Sequence, residues 1–164
     1  MTLSRTSADR ADDDGAILAR LFAQKEIEAV LADYAIGLDD SDTDRFISAF
    51  HDDAVLEAAA GRVEGRAAIL KWAEQVFHHR TMAHLTGNHR IEIIDERAAT
   101  GVGSGYALSS QEDGTVVLAF GRLTDRYSMV NGKWRISYRN IHVMSAFKLG
   151  DTTALIINGA PLNS

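Results

Sequence analysis

A histidine and an aspartate far apart in the sequence have the side chains best suited to acid–base chemistry. His84 lies in TMAHLTGN, which otherwise has the pattern of a β-strand, and Asp39 ends a predicted helix at YAIGLDDSD. The helix dipole disfavours a carboxylate there by a few tenths to about 1 kcal/mol. A carboxylate bonded to one imidazole nitrogen leaves the other nitrogen free to take a proton. On spacing alone, a structural histidine and a solvated loop acid stay open as alternatives.

Composition narrows the classes of protein and partner. The 164 residues include no cysteine, which excludes disulfides, thiolate nucleophiles and cysteine-based metal sites. A formal net charge of -6 makes nucleic acid and anionic membranes poor partners. The N-terminus lacks the apolar run of a signal peptide, and no window has the length of a membrane span, so we predict a cytoplasmic protein.

The first half of the chain is predicted to be mainly helical. A polar leader over residues 1–15 precedes a single domain over residues 16–164. AILARLFAQKEIEAVLADYAIGL and AAILKWAEQVFHH have helical apolar spacing. SDTDRFISAF predicts a shorter helix, in which Ser41 and Asp44 have capping-box spacing. Between the helices, AVLEAAAGRVEGR predicts a short β excursion, and Asp52 and Asp53 are interpreted as turn or capping acids.

The chain after His79 is predicted to form a sheet. The strands are HLTGNHRIEII, AATGVGSGYALS, TVVLAFGRLTDRYSMV and KWRISYRNIHVMSAF. Turn signals lie at Asp95, at EDG (112–114) and at NG (131–132), the strongest hairpin signal. Helices followed by antiparallel strands predict an α+β domain with helices on one face of a curved sheet. The apolar tail residues 154–157 indicate either an edge strand or a subunit contact.

Strict alternation along the strands predicts which side chains share a face. In the first strand it separates Leu85, Ile91 and Ile93 from His84, Thr86 and Asn88. In the last strand it separates Trp134, Ile136, Tyr138, Asn140 and His142 from Arg135, Ser137, Arg139 and Ile141. Only one face of the last strand would line a pocket, so Arg139 competes with Tyr138 and His142 for that place. The histidines 78, 79, 84 and 89 are rejected as a zinc site, since His84 and His89 have opposite parity and no spacing fits a known ligand set.

Several short motifs, in this order, resemble the SnoaL-like group of the nuclear transport factor 2-like superfamily over about residues 20–145. They are Tyr34 to Asp39, DRFISAF, DDAV, the helix start with Gly65, Arg66 and Ile69, the His84 to Asn88 spacing, and NGKWRI. Within the group, IGLD, DDA, HLTGN and GKWRIS are most similar to the γ-hexachlorocyclohexane dehydrochlorinases. The scytalone dehydratases are a more distant likeness. Their second active-site histidine is missing from GVGSGYALSS, whose small residues leave room in a pocket or let the sheet bend.

The resemblance implies a cone-shaped α+β barrel in which a curved antiparallel sheet wraps around N-terminal helices and encloses an apolar central pocket. It implies no metal or organic cofactor, a small apolar or aromatic (including polycyclic) ligand, and a homodimer or homotrimer. An Asp–His dyad of the family matches Asp39 and His84. An arginine that assists the leaving anion matches Arg139.

These observations lead to one main hypothesis and two rivals. The main one is a cofactor-independent lyase or isomerase for a small, largely apolar ring compound, with elimination of water or HX first and isomerisation or cyclisation next. The predicted substrate-binding residues are Tyr34, Phe50, Trp72, Phe77, Tyr138 and His142, of which the helical aromatics have ordinary core as their alternative. The rivals are a non-catalytic binding or accessory protein and an assembly subunit like the β-subunits of ring-hydroxylating dioxygenases.

Overall fold

The computed structural model describes residues 7–77, 80–111, 113–149, 156–157 and 160–161. Its elements, in chain order, are α1 (Ser7–Asp39), α2 (Thr43–Ser48), β1 (Phe50–Ala58), β2 (Gly61–Glu64), α3 (Arg66–Phe77), β3 (Arg80–Ile93), β4 (Ala98–Gln111), β5 (Val116–Val130), β6 (Lys133–Leu149), β7 (Ile156–Ile157) and β8 (Ala160–Pro161). The predicted α+β class is confirmed: two N-terminal helices come first, and α3 lies between β2 and β3. Among the helices so described, none combines the length and hydropathy needed to cross a membrane.

The main sheet is curved and unclosed, with its six strands in the order β2-β1-β6-β5-β4-β3. Every neighbouring pair is antiparallel except β1 and β6, which run parallel. The sequence did not reveal this pair, because it joins strands that are distant along the chain. β7 and β8 pair only with each other among the described strands, while Ala154 and Leu155 of the predicted apolar tail lie outside the described residues.

Helix α1 carries the first site residue and ends in a hydrogen-bonded turn. Asp42 N–H donates to the carbonyl of Gly37 at 2.9 Å and Ser41 N–H to that of Leu38 at 3.4 Å. Ser41 has a φ of 55°, the left-handed conformation that closes such helix ends. This turn fixes Asp39 in the last turn of the helix. At the other end α1 begins at Ser7, so part of the predicted leader is helical.

Helix α2 begins directly after this turn, and its cap differs from the prediction. Asp42 accepts a hydrogen bond from Arg45 N–H at 3.0 Å and is the N-cap. Ser41 is therefore not the cap, because its backbone is already used to close α1. A Cβ on Gly37 would lie 2.7 Å from the Cα of Phe46, so only glycine lets the two helices approach this closely.

The core lies between the helices and the concave face of the sheet. Tyr34, Phe46 and Phe50 form an aromatic cluster with ring centroids 5.2 to 5.9 Å apart. Burial of one such side chain stabilises the fold by roughly 1.5–3 kcal/mol. Asp52 and Asp53 belong to strand β1, so their interpretation as turn acids is wrong. The predicted turn at NG is confirmed, with φ of 54° at Asn131 and 72° at Gly132, as a type I′ hairpin requires.

A β-bulge in β3 changes which of its side chains face the core. Gly87 pairs with Ser104 and Arg90 with Val102, so Asn88 and His89 together stand opposite one residue of β4. Asn88 has a φ of 51°. An extra residue reverses the alternation from that point on. The inner face therefore carries His84, Thr86, His89, Ile91 and Ile93, and the predicted separation of His84 from Ile91 and Ile93 is wrong.

A second bulge, in β6, has the same effect. Tyr127 of β5 pairs with Ile136 and Arg126 pairs with Tyr138, which leaves Ser137 as the extra residue. The inner face thus carries Trp134 and Ile136 before the bulge and Arg139 and Ile141 after it. The prediction that only one strictly alternating set faces inward is wrong, because the bulge joins parts of both sets on one face.

Candidate active site

His84 and Asp39 meet where the end of α1 packs against β3. The Nδ1 of His84 lies 2.6 Å from Oδ1 of Asp39, and the backbone N–H of His84 donates to Oδ2 at 2.8 Å. One carboxylate thus holds both the ring and the main chain of the same residue. An ionised carboxylate accepts only, so this contact requires a proton on Nδ1 and leaves Nε2 unprotonated in the neutral ring.

A mainly apolar cavity of about 340 Å³ opens beside His84. Its wall includes residues from α1, α3 and five strands of the sheet, among them Tyr34, Leu38, Trp72, Met82, His84, Thr86, Leu123 and Ile141. Among the described residues, no lysine, arginine, aspartate or glutamate lines it, and Nε2 of His84 has no hydrogen-bond partner. The cavity therefore combines an apolar surface with one free imidazole nitrogen and four hydroxyl-bearing side chains, those of Tyr34, Thr86, Tyr106 and Ser109.

A second ion pair, fully buried, lies behind the wall of this cavity. Arg139 donates from Nε and Nη2 to the two oxygens of Asp125, each at 2.8 Å. Tyr127 donates its hydroxyl to the same carboxylate at 2.8 Å. The guanidinium carbon lies 4.1 Å from the ring centroid of Tyr34. The guanidinium of the pair therefore lies against the ring of a tyrosine that also lines the cavity.

Burial and these charges shift several ionisation equilibria. Burial raises the pKa of Tyr34, against the opposing effect of the Arg139 cation. Burial, followed by the Asp125 carboxylate, raises the pKa of Tyr127. Burial alone would lower the pKa of Arg139, but Asp125 outweighs it and keeps the guanidinium charged. Burial and then Arg139 lower the pKa of His89, so His89 favours the neutral form.

The predicted site residues are distributed over the cavity, the core and the outer surface. His84, Tyr34 and Trp72 line the cavity, and Asp39 binds His84. Phe50 is fully buried against the rings of Tyr34 and Phe46. The prediction that it lines the pocket is therefore wrong, and it is a core residue. The side chain of Phe77 lies outside the described part of the chain.

The last strand requires two further corrections. Tyr138 donates its hydroxyl to Glu57 at 2.7 Å, away from the cavity, and His142 is exposed. Both were predicted substrate contacts, and the bulge at Ser137 turns them to the outer side. Arg139 faces inward but stands behind Tyr34, bound to Asp125. Its predicted direct contact with a leaving group therefore does not fit the described cavity wall.

The histidine cluster has a different geometry from the one inferred by alternation. His84 and His89 share the inner face of β3, because the bulge at Asn88 reverses parity, whereas His78 and His79 lie outside the described residues. Over the described ranges, no three histidine or acidic side chains come close enough together to hold a metal ion.

Two functional candidates were missed in the sequence. Asp125 lies between Leu123 and Tyr127 in the inward-facing series of β5. A carboxylate at a position where alternation predicts an apolar side chain indicates that a buried cation pairs with it. His89 was hidden by the bulge. A Cβ on Gly103 would lie 2.6 Å from Cε1 of His89. The imidazole can therefore pack against β4 only because residue 103 is a glycine.

Comparison with known proteins agrees with this architecture. A family model described as a SnoaL-like domain matches residues 19–140. The solved structure of LinA has a TM-score of 0.76 and 26% identity, covering 82% of this chain and 95% of that one. The hexachlorocyclohexane dehydrochlorinase LinA-type3 from Novosphingobium barchaimii LL02 has a TM-score of 0.75 and 24% identity, with coverage of 82% and 95%.

A candidate scytalone dehydratase from Novosphingobium aromaticivorans has a TM-score of 0.75 and 19% identity, covering 89% of this chain and 97% of that one. At that identity the likeness shows the fold. No curated protein matches the chain in sequence. The resemblance predicted from the motifs is confirmed at the level of the family and of these structural neighbours.

Proposed function

The chain belongs to the SnoaL-like domain family, and we propose that it is a cofactor-independent lyase or isomerase acting on a small, largely apolar ring compound. His84 is the base and Asp39 its orienting partner. The observation that carries the proposal is the double contact of Asp39 with His84, at 2.6 Å to Nδ1 and 2.8 Å to the backbone nitrogen. It directs an unpaired nitrogen into a cavity large enough for a ring.

Proton abstraction from carbon is the step that this arrangement suits. Nε2 takes the proton, and the C–H electron pair forms the new double bond as the bond to the leaving group breaks. The imidazolium that forms is stabilised by the Asp39 carboxylate, because opposite charges within hydrogen-bond reach favour the charged form of each group. A positioned base of this kind contributes typically about 10²–10⁴-fold to the rate.

The departing group requires a donor, and Tyr34 is the residue that we assign to it. Tyr34 lines the cavity and its ring is backed by Arg139 at 4.1 Å. Burial raises the pKa of Tyr34 and the Arg139 cation only opposes that rise, so the hydroxyl keeps its proton and can donate a hydrogen bond to developing negative charge. Arg139 thus acts through Tyr34. A hydroxide takes the hydroxyl proton of Tyr34 and leaves as water, and the imidazolium of His84 then returns the abstracted proton to the Tyr34 oxygen through water. A halide leaves as the anion, and the imidazolium releases its proton to solvent, so that HX is lost overall.

The rival binding-protein hypothesis predicts a pocket without a paired histidine. The contact between His84 and Asp39 favours the enzyme instead, since a ligand site needs neither a fixed tautomer nor an unpaired nitrogen. The apolar wall supports an uncharged ring compound in either case, because polar groups buried against it would lose their hydrogen bonds to water.

A carbon acid tests the proposal without knowledge of the natural substrate. 2-Tetralone, a bicyclic ketone, exchanges its C1 hydrogens for deuterium in D₂O, and proton NMR follows the loss of signal. We expect the wild type to accelerate exchange and His84→Gln to lose roughly 10²–10⁴-fold of that acceleration. His142→Gln is the matched control, since it makes the same change at an exposed histidine outside the cavity. Equal rates for His84→Gln and the wild type would exclude His84 as the base.

Elimination is then measured on ring β-hydroxyketones and β-haloketones. The product enone absorbs in the ultraviolet, so a rise in absorbance reports the reaction directly. Exchange with 2-tetralone but no elimination from either series would favour an isomerase over a lyase.

A further inference from the structure

The buried ion pair lies one rung beyond the cavity along the two central strands. Asp125 pairs with Arg139 in the register of β5 and β6, and Leu123 pairs with Ile141 two residues further along. Leu123 and Ile141 line the cavity. Two residues of a strand span roughly 7 Å, so the charges of the pair stand close behind the inner end of the cavity.

The pair decides which electrostatic potential the cavity experiences. An unpaired arginine at this depth would attract an anion, because Coulomb interactions are strong where water is excluded. Asp125 cancels that charge with two hydrogen bonds of 2.8 Å, and Tyr127 fixes the carboxylate with a third. Arg139 and Asp125 do not themselves line the cavity, but the guanidinium lies 4.1 Å from the ring centroid of Tyr34, which does.

We propose that the cavity selects uncharged ligands over anions of the same shape, and that Asp125 is the positioning residue that sets this preference by neutralising Arg139. The inference rests on the proposed function, because it takes the same cavity as the substrate site. Its consequence is that substrates enter as neutral ring compounds, and that carboxylates and phosphorylated derivatives are excluded. Asp125 acts through Arg139 and Tyr34 and does not touch the ligand.

Two probes with the same ring system test the preference in the wild type. 2-Naphthol is uncharged at neutral pH and 2-naphthoate is an anion, and both are measured by isothermal titration calorimetry. We expect 2-naphthol to bind more tightly by at least about tenfold, as the cost of burying an unpaired carboxylate implies. Equal affinities, tighter binding of 2-naphthoate, or no binding of 2-naphthol up to its solubility limit would each overturn the proposal.

Variants of the pair test the role of Asp125. Asp125→Asn leaves the cation uncompensated, so the ratio of the two affinities should shift towards 2-naphthoate by on the order of tenfold. Asp125→Glu keeps the charge and should keep most of the preference. Arg139→Gln leaves the anion uncompensated and should shift the ratio of affinities further towards 2-naphthol. This variant tests the proposal if Asp125→Asn does not fold.

The ratio separates an electrostatic role from a structural one. Damage to packing weakens both probes together and leaves the ratio unchanged, an outcome that would contradict the proposal in a folded Asp125→Asn protein. The same titrations in His84→Gln remove the proposed base and any charge on its ring. A neutral preference that survives in His84→Gln supports the inference even if the exchange assay excludes His84 as a base, so the two proposals fail independently.

Discussion

Two pairs of a carboxylate with a nitrogen base lie close to the same cavity, and their surroundings differ. The His84 and Asp39 side chains are 17% and 25% exposed, whereas those of Arg139 and Asp125 are 0% and 1% exposed. The first pair keeps one nitrogen free beside the cavity, and the second uses two nitrogens in a bidentate contact. A partly exposed pair is suited to gain and lose a proton, while a buried bidentate pair fixes a charge distribution.

The largest effect is expected when the buried pair is broken. Asp125→Asn removes one partner and leaves an uncompensated cation in the core, which should lower the free energy of unfolding by about 3–5 kcal/mol. Urea denaturation followed by circular dichroism measures it. A decrease in the free energy of unfolding of less than about 1 kcal/mol, the range of exposed ion pairs, would mean that water reaches Arg139. The two pairs would then not differ in their contribution to stability.

A smaller loss is expected from filling the space above Gly103. In Gly103→Ala the new methyl group would lie 2.6 Å from Cε1 of His89, and overpacking of this kind typically costs about 1–3 kcal/mol. Gly105→Ala on the same strand is the control, because its Cβ would meet Leu123 at an ordinary 3.6 Å. Equal urea midpoints for the two variants would contradict the placement of His89 over β4.

The partly exposed pair should respond in the opposite manner to the buried one. Asp39→Asn should lower the free energy of unfolding by less than Asp125→Asn does, since the pair is partly exposed and asparagine keeps an oxygen that can accept from the backbone N–H of His84. Deuterium exchange into 2-tetralone should nevertheless fall by at least about tenfold, because the base loses its orienting partner. A stable variant with unchanged exchange would show that Asp39 does not assist His84.

The smallest effect is a pH dependence from His89. Burial and then Arg139 lower its pKa below the ordinary 6.5, against smaller opposing effects of Asp125 and Glu28. The unfolded chain therefore binds a proton first as the pH falls, and the stability present above pH 6.5 decreases until the folded-state pKa is reached.

Urea midpoints of the wild type and His89→Gln, each measured above and below this range, test the prediction. The wild type should lose more stability on acidification than the variant does. Parallel curves would mean that His89 titrates alike in the folded and unfolded chains.

The sequence patterns predicted the α+β class, and they failed where a β-bulge interrupts the alternation of side chains along a strand. Helical spacing and the NG turn follow from short-range rules, so α1 and the last hairpin were predictable. The bulges at Asn88 and Ser137 depend on how neighbouring strands pair, and an alternating pattern cannot reveal an extra residue. Tyr138 and His142 were misplaced for that reason. The contact of Asp39 with His84 was predicted only through the family resemblance.

The protonation state of the His84 ring decides whether this residue can act as the base, and it can be measured without a substrate. In protein labelled with ¹⁵N, long-range correlations between ring nitrogens and carbon-bound protons distinguish the two neutral tautomers of His84. We expect a proton on Nδ1, held by Asp39, and a bare Nε2 beside the cavity. A proton on Nε2 would contradict this expectation, because the nitrogen facing a substrate would then be a donor with no lone pair for a proton.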